Sequence, residues 1–177
     1  DQASAAAQAP AAAPTAIPTA APPPIPTADS NKAGGSASNQ LWRVQLNDND
    51  ATTGPKDAAV KCAVFSTFGC SECLAFHAAM KKGMEKYGKR VSWVWKHKVM
   101  PFQHPDSLLA SQAALAANAQ GKFWPYVDKL YENNFAISRP NLEKYAGELG
   151  LNAAKFKKAV DAETYRSQVL RDSLQAF

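Results

Sequence analysis

The sequence predicts an α/β fold: a small sheet built around one parallel βαβ unit, followed by a long all-helical block. Three observations predict it. Val60, Cys62, Val64 and Phe65 form a short apolar, β-branched and aromatic run of the kind that makes a buried strand. Gly69 breaks that run, and Cys70 and Cys73 then open a segment whose apolar residues (Leu74, Phe76, Ala78, Met80, Met84) suit a helix laid on a sheet. A further strand, Val91 to Val99, follows, and beyond it the pattern is helical. Two strands joined by one helix should lie parallel, with a right-handed crossover.

Taken in order, residues 1–40 are Ala/Pro/Thr-rich and then Gly/Ser-rich, with almost no charge. Their prolines forbid a continuous helix and their alanines offer little to bury. The stretch reads as an extended, partly polyproline-II tether with a flexible joint near Gly34. A Pro-rich segment that orders on a partner is the alternative. Leu41-Trp42-Arg43-Val44-Gln45-Leu46 alternates as a first strand, and Asn47 through Pro55 is a polar loop before the central strand. Gly88, after Tyr87, stands where a glycine ends a helix.

In the strand from Val91 to Val99, Trp93, Trp95, His97 and Val99 fall on one face. Ser92, Val94, Lys96 and Lys98 fall on the other. His97, among tryptophans, reads as a hydrogen-bonded, half-buried histidine. Met100-Pro101 closes the strand. From Pro105, an alanine-rich helix with Leu108, Leu109, Ala113, Leu115 and Ala116 runs to about Gln120-Gly121. A second covers Phe123 to Tyr131. Ser138 and Pro140 start a third, from Leu142 to Leu149, which Gly150 stops. Asn152 caps a fourth, with Phe156 and Val160. The last, Thr164 to Leu174, places Tyr165, Val169 and Leu174 at helical intervals. The organisation is therefore a tether over 1–40, a sheet with its dithiol helix over 41–104, and a helical domain over 105–177.

Composition narrows the function. With 177 residues, the part after the tether is long enough for one domain with a real interior. The formal net charge is +5, but the lysines are dispersed. Their one cluster, Lys81, Lys82, Lys86, Lys89 and Arg90, reads as a solvated helix face, and no aromatic-plus-basic motif marks a nucleic-acid binder. No run of eighteen apolar residues is present, so no helical membrane span is expected. The chain opens on Asp1, as expected of a product whose signal peptide has been removed. No serine–histidine–acid set, phosphate-cradling glycine loop or glycosidase-like acidic pair stands out.

The chemistry centres on Phe68-Gly69-Cys70-Ser71-Glu72-Cys73. Two cysteines two residues apart at a strand-to-helix turn have the geometry of a redox dithiol. Cys70 sits where backbone N–H groups lack helical partners and the helix dipole is positive, which favours its thiolate. Cys73 lies one turn on, within reach of a mixed disulfide at Cys70. The spacing also suits half a zinc site, but only Cys62 and three histidines remain as further ligands and none forms a second pair. His77 follows Cys73 on a neighbouring face of the helix, either as a surface histidine or as a ligand beside the two cysteines. His104 reads as a hydrogen-bonded tether of the turn, and Cys62 as a small buried hydrophobe. No metal and no cofactor beyond a redox-active disulfide is expected.

Several stretches together resemble one family. They are Ala58-Ala59-Val60 leading into Val64-Phe65-Ser66-Thr67-Phe68-Gly69-Cys70-Ser71-Glu72-Cys73, then Val94-Trp95-Lys96-His97, and Met100-Pro101-Phe102-Gln103-His104-Pro105. The block from Ala113 through Gly121-Lys122-Phe123-Trp124, and Asp128 through Asn133, follow in the same order. This sequence resembles the DsbA-like thiol:disulfide oxidoreductases of the thioredoxin superfamily, in the bacterial envelope branch where a helical domain interrupts the fold. The resemblance covers about Asp57 to Ala176 and implies a thioredoxin-like part over 41–104 with the helical insertion over 105–177. It implies Cys70 as the exposed attacking thiolate and Cys73 as the buried resolving thiol.

The sequence departs from that pattern in three ways. Phe68-Gly69 precedes Cys70 and Cys62 stands inside the strand, read as a small buried hydrophobe with a third reactive thiol as the alternative. Ser71-Glu72 stands where strongly oxidising members tend to have Pro-His, and the acidic Glu72 opposes a thiolate; both residues are expected to tune the redox pair toward a weaker oxidant. The family's cis-proline loop, two antiparallel strands and closing helix do not follow Phe177, so the sheet is expected to need a partner or a further segment to complete it. The expected function is a thiol:disulfide oxidoreductase or isomerase of the periplasm or outer envelope, acting on protein thiols of secreted proteins. The alternative is a thioredoxin-like structural or adaptor subunit of an envelope assembly.

Overall fold

A three-stranded sheet in the order β1-β3-β2 carries the site. In the computed structural model, the described residues are 43–176. Strands β2 (Val60–Ser66) and β3 (Val91–His97) run parallel, Val60 opposite Val91 and Ser66 opposite His97. Helix α1 (Ser71–Tyr87) joins them, because parallel neighbours cannot be linked by a tight turn. The expected βαβ unit is present. On the other edge of β3, the short β1 (Thr52–Thr53) pairs antiparallel, Thr52 opposite Val94.

The first strand is not where alternation placed it. Residues 43–47 have no regular structure, with Gln45 and Leu46 exposed, while the tether and Leu41-Trp42 lie outside the described residues. The polar loop supplies the edge strand instead. A turn closes as Asp50 N–H donates to Asn47 O at 3.0 Å and Asn47 N–H to Asp50 Oδ2 at 2.8 Å. Trp95 N–H then donates to Ala51 O at 2.9 Å. What holds the segment there is charge: Asp50 Oδ2 lies 2.6 Å from Lys96 Nζ.

Lys96 corrects the expected two-faced reading of β3. It is 0 % exposed, and its ammonium also meets Asp172 Oδ1 at 3.2 Å. Ser92, Val94, Trp95 and His97 are buried too, so both faces of the strand are covered. A buried cation must be paired, and here two carboxylates from distant segments do it. Asp172 Oδ2 further accepts His97 N–H at 3.4 Å, and Ser173 Oγ accepts Val99 N–H at 3.1 Å.

The helical block comprises α2 (Ser107–Asn118), α3 (Phe123–Glu132), α4 (Arg139–Glu148), α5 (Ala153–Asp161) and α6 (Arg166–Leu174). Helix α2 lies at its centre, with Ala110, Ala113, Ala114 and Ala117 wholly buried; methyl side chains let its neighbours approach closely. Asn152 caps α5 by accepting Lys155 N–H at 2.9 Å. Ser138 is the N-cap residue of α4 but makes no side-chain cap bond; Pro140 follows. Leu174, expected inward, is 76 % exposed, whereas Val169 is buried. Gly88 does cap α1, but at φ −56 its need is for space: a Cβ there would run into the Met84 carbonyl oxygen. Cys62 is partly buried against the core and faces Trp93 in the strand register. Among the described residues no strand follows β3, no peptide bond is cis, and no helix is long and apolar enough to cross a membrane.

Candidate active site

The turn between β2 and α1 is fixed from beneath by aromatic rings. Phe68 is fully buried, stacked on Trp95 at 5.8 Å between centroids and tilted against Tyr131 at 5.4 Å. The Tyr131 hydroxyl donates to Thr67 O at 2.8 Å and lies 2.8 Å from Ser66 Oγ. Gly69 then turns the chain at φ +79, a region that disfavours side chains, and its N–H donates to Asn134 Oδ1 at 3.2 Å. Helix α3 and the loop after it thus hold the turn that presents the cysteines.

Cys70 is the N-cap of α1, with extended backbone, and its Sγ accepts Cys73 N–H at 3.2 Å. The sulfur takes the place of the usual oxygen cap. The Cys70 thiol faces Glu72 Oε2 at 3.5 Å, and the Ser71 hydroxyl donates to the same oxygen at 3.0 Å. Ser71 therefore holds the Glu72 carboxylate over the thiol. All three cysteines are free thiols.

Two expectations are corrected here. Cys70 is the buried member, 7 % exposed, and Cys73 the partly exposed one. Capping turns the Cys70 sulfur back over the first helical turn, where Glu72 covers it. Nor is the thiolate favoured. Burial first, then the hydrogen bond and proximity to Cys73, then Glu72, push the Cys70 thiol up to about 11; the Cys73 N–H pulls the other way and loses. Glu72 itself is held below the usual carboxylate range by its own backbone N–H, the Ser71 hydroxyl, the Cys70 thiol and the charge of nearby His104.

The histidines also differ from expectation. His77 is buried rather than on the surface: its Nε2 lies 2.8 Å from Asp128 Oδ1, and its ring stacks on Tyr131 at 4.4 Å. Lys81 reaches the other Asp128 oxygen at 2.9 Å. Among the described residues no group of three histidine, cysteine or acidic side chains is placed to hold a metal ion. His97 is wholly buried, and neither ring nitrogen has a hydrogen-bond partner among the described residues. Burial, and then Lys96, press its pKa down to about 3. His104 does tether the turn, but through its backbone: its N–H donates to Met100 O at 2.7 Å and its carbonyl accepts Ser107 N–H at 3.0 Å. Sequence reasoning missed Tyr131 and Asn134 as supports of the dithiol turn; both come from a segment more than sixty residues away, and no local signal marks them.

The sequence profile of the thioredoxin family matches residues 46–176. The chain belongs to the thioredoxin family. Within it the fold is DsbA-like. BdbD from Bacillus subtilis, in its oxidised form, superposes with a TM-score of 0.63 at 22 % identity, over 72 % of this chain and 74 % of that one. The catalytic domain of Proteus mirabilis ScsC gives 0.58 at 21 % identity, over 73 % and 72 %. The thiol-disulfide exchange protein α-DsbA2 of Wolbachia pipientis gives 0.58 at 16 %, over 72 % and 69 %. By sequence, the chain is 31 % identical over 127 residues to a Na(+)/H(+) antiporter NhaA of Herminiimonas arsenicoxydans, covering 72 % of this chain and 20 % of the antiporter. An NhaA of Salinispora tropica is 31 % identical over 111 residues, covering 63 % and 17 %. The chain thus spans about a fifth of the length of the curated relatives it matches. Thioredoxin-family membership accounts for the strand, dithiol helix and strand order, and the DsbA-like fold for the helices after it.

Proposed function

We propose that this chain is a thiol:disulfide oxidoreductase of the bacterial envelope that works through Cys70 and Cys73, as a reductant or isomerase rather than a strong oxidant. The observation that carries the direction is the Glu72 carboxylate over a Cys70 thiol whose pKa is raised to about 11. A strongly oxidising pair owes its power to a reduced form stabilised as thiolate; this pair lacks that stabilisation. The Ala/Pro-rich residues 1–40 fit a tether that lets the domain reach secreted proteins, and disulfide exchange belongs in such compartments.

In the reductive direction, Cys70 loses its proton and its sulfur attacks one sulfur of a substrate disulfide. A Cys70–substrate bond forms as the substrate S–S bond breaks, and the departing sulfur takes up a proton. Cys73, also deprotonated, then attacks Cys70 Sγ. The enzyme disulfide closes and the second substrate thiol leaves. Two electrons and two protons pass to the substrate, and no cofactor beyond the cysteine pair takes part. Glu72 must swing off the sulfur for attack, which its exposed position allows.

One observation favours a second reading, a thioredoxin-like adaptor or structural subunit: relatives named as antiporters carry the matching stretch in only about a fifth of their length. Insulin reduction with dithiothreitol as electron donor separates the two. The parent chain is expected to accelerate insulin precipitation and Cys70→Ser to fall to the uncatalysed rate. Equal activity of variant and parent would leave the adaptor reading.

A further inference from the structure

Glu72 covers the Cys70 sulfur and has to leave it before the thiol can attack. Across the turn from it stands the loop between β3 and α2, which carries His104. That loop is clasped on itself. His104 N–H donates to Met100 O at 2.7 Å, Ser107 N–H to His104 O at 3.0 Å, and Met100 N–H to Ser107 Oγ at 3.2 Å. Ser107 is fully buried, and Pro105 fixes the backbone of the next step. His104 is half-buried and, with Gly69, borders a cleft of about 120 Å³. The approach is close: a side chain at Gly69 would begin 3.9 Å from His104 Cβ. The histidine therefore stands against the residue that precedes Cys70.

Few charged groups meet at this corner. On α1, Glu72 Oε2 has the Cys70 thiol at 3.5 Å and the Ser71 hydroxyl at 3.0 Å. Its own backbone N–H, the Ser71 hydroxyl and the Cys70 thiol hold the carboxylate below its usual range, and the charge of His104, reaching it from the facing loop, adds to them. On the histidine's side, Asp106 borders the same cleft, and the loop between α3 and α4 contributes Asn134, Phe135 and Ile137, none of which titrates. Glu72 is thus shared between a thiol whose ionisation it opposes and an imidazole that attracts it when charged. Histidine is the side chain that ordinarily changes charge between pH 5 and 8.

We propose that His104 is a positioning residue for thiol exchange: in its protonated form it draws the Glu72 carboxylate off the Cys70 sulfur and opens that sulfur to an incoming disulfide. The role rests on the reading of Cys70 as the attacking thiol. The thiol proton still leaves to water, and His104 forms no bond to the substrate. While the imidazole is protonated, the carboxylate is held aside and the Cys70 thiolate is less disfavoured. As pH rises through the histidine range that help is lost and the carboxylate returns. Across this range the reactivity of Cys70 should climb less steeply than the roughly tenfold per pH unit of an isolated thiol.

The test reads Cys70 alone, in the full chain with Cys62→Ser and Cys73→Ser, through its reaction with a dipyridyl disulfide at pH 5.5 and pH 8.5. Ratios between variants cancel the reagent's own dependence on pH. The chain with His104 is expected to react about threefold faster than His104→Gln at pH 5.5, the scale of one screened charge, and at the same rate at pH 8.5. His104→Lys, charged at both, should keep the threefold advantage over His104→Gln throughout. In a Glu72→Gln background, neither His104 substitution should change the rate. Equal rates for His104 and His104→Gln at both pH values would overturn the inference. So would a difference that is the same at both, which would make His104 a support of its loop only. An effect that survives Glu72→Gln would put the imidazole on the sulfur itself and overturn it as well. Each of these leaves the oxidoreductase reading standing, because that reading falls on a different result: equal insulin reduction by Cys70→Ser and the parent, which would remove it and the role of His104 together.

Discussion

At the scale of single residues, the proposed chemistry turns on Glu72 and Cys70. The carboxylate 3.5 Å from the thiol, fixed by the Ser71 hydroxyl, opposes the charge that nucleophilic attack requires. Because burial, Cys73 and Glu72 together raise the Cys70 pKa to about 11, its reactivity should still be climbing with pH well above neutrality. Glu72→Gln removes a charge but keeps the shape. Its iodoacetamide alkylation rate at Cys70, measured at pH 8 in Cys62→Ser, Cys73→Ser background, should rise roughly threefold, as for a screened surface charge. An unchanged or slower rate would mean that Glu72 does not bear on the thiol. The pair itself was legible in the sequence, because spacing and the preceding glycine are local signals. Which cysteine is covered was not. That depends on Cys70 spending its sulfur as a helix cap and on a carboxylate folding back over it.

At the level of elements, β3 is the strand whose sequence misleads most. Alternation separates Lys96 from His97 by face, and a lysine is ordinarily turned to solvent. Instead Lys96 is held by Asp50 and Asp172, the latter 76 residues away, and His97 sits among Phe68, Trp95 and Phe123 with no hydrogen-bond partner for either ring nitrogen among the described residues. The helices were legible, since capping by Asn152 and the placing of Phe156 and Val160 are written within a few residues of each other. The first strand was not, because an edge strand forms where a sheet offers hydrogen bonds, and the Asp50–Lys96 pair decides that.

Burial of His97 has a consequence for acid stability. Its folded pKa, about 3, lies below the unfolded value of about 6.5, so its neutral form is the one the fold accepts. The stability it permits is fully present above about pH 6.5 and is lost as pH falls toward 3, at about 1.4 kcal/mol per pH unit for one proton. His77, also lowered by burial, acts in the same sense; Asp172, raised by burial, acts in the opposite one. Urea unfolding at pH 6.5 and pH 5 should therefore show a loss that is roughly 2 kcal/mol smaller in His97→Phe than in the parent. The same loss in both would place the acid sensitivity elsewhere.

At the scale of the whole molecule, the order of strand, dithiol helix, strand and helical block was readable, because each piece carries its own period and its own stops. What the order could not reveal is that the helical block returns to the dithiol. Tyr131 and Asn134 fasten the Cys70 turn, and Phe135 stands beside it, although all three are far along the chain. The sheet brings the sulfur pair to one end of the fold, and the helical block supplies its support.

The central claim is that Cys70 bonds to an incoming sulfur and Cys73 releases it. Incubating Cys73→Ser with glutathione disulfide, followed by intact mass and peptide mapping, tests it most directly. The account predicts one glutathione retained on Cys70 in the variant and none on Cys70 in the parent, where Cys73 completes the exchange. No adduct on Cys70, or one that persists there equally in the parent, would contradict it.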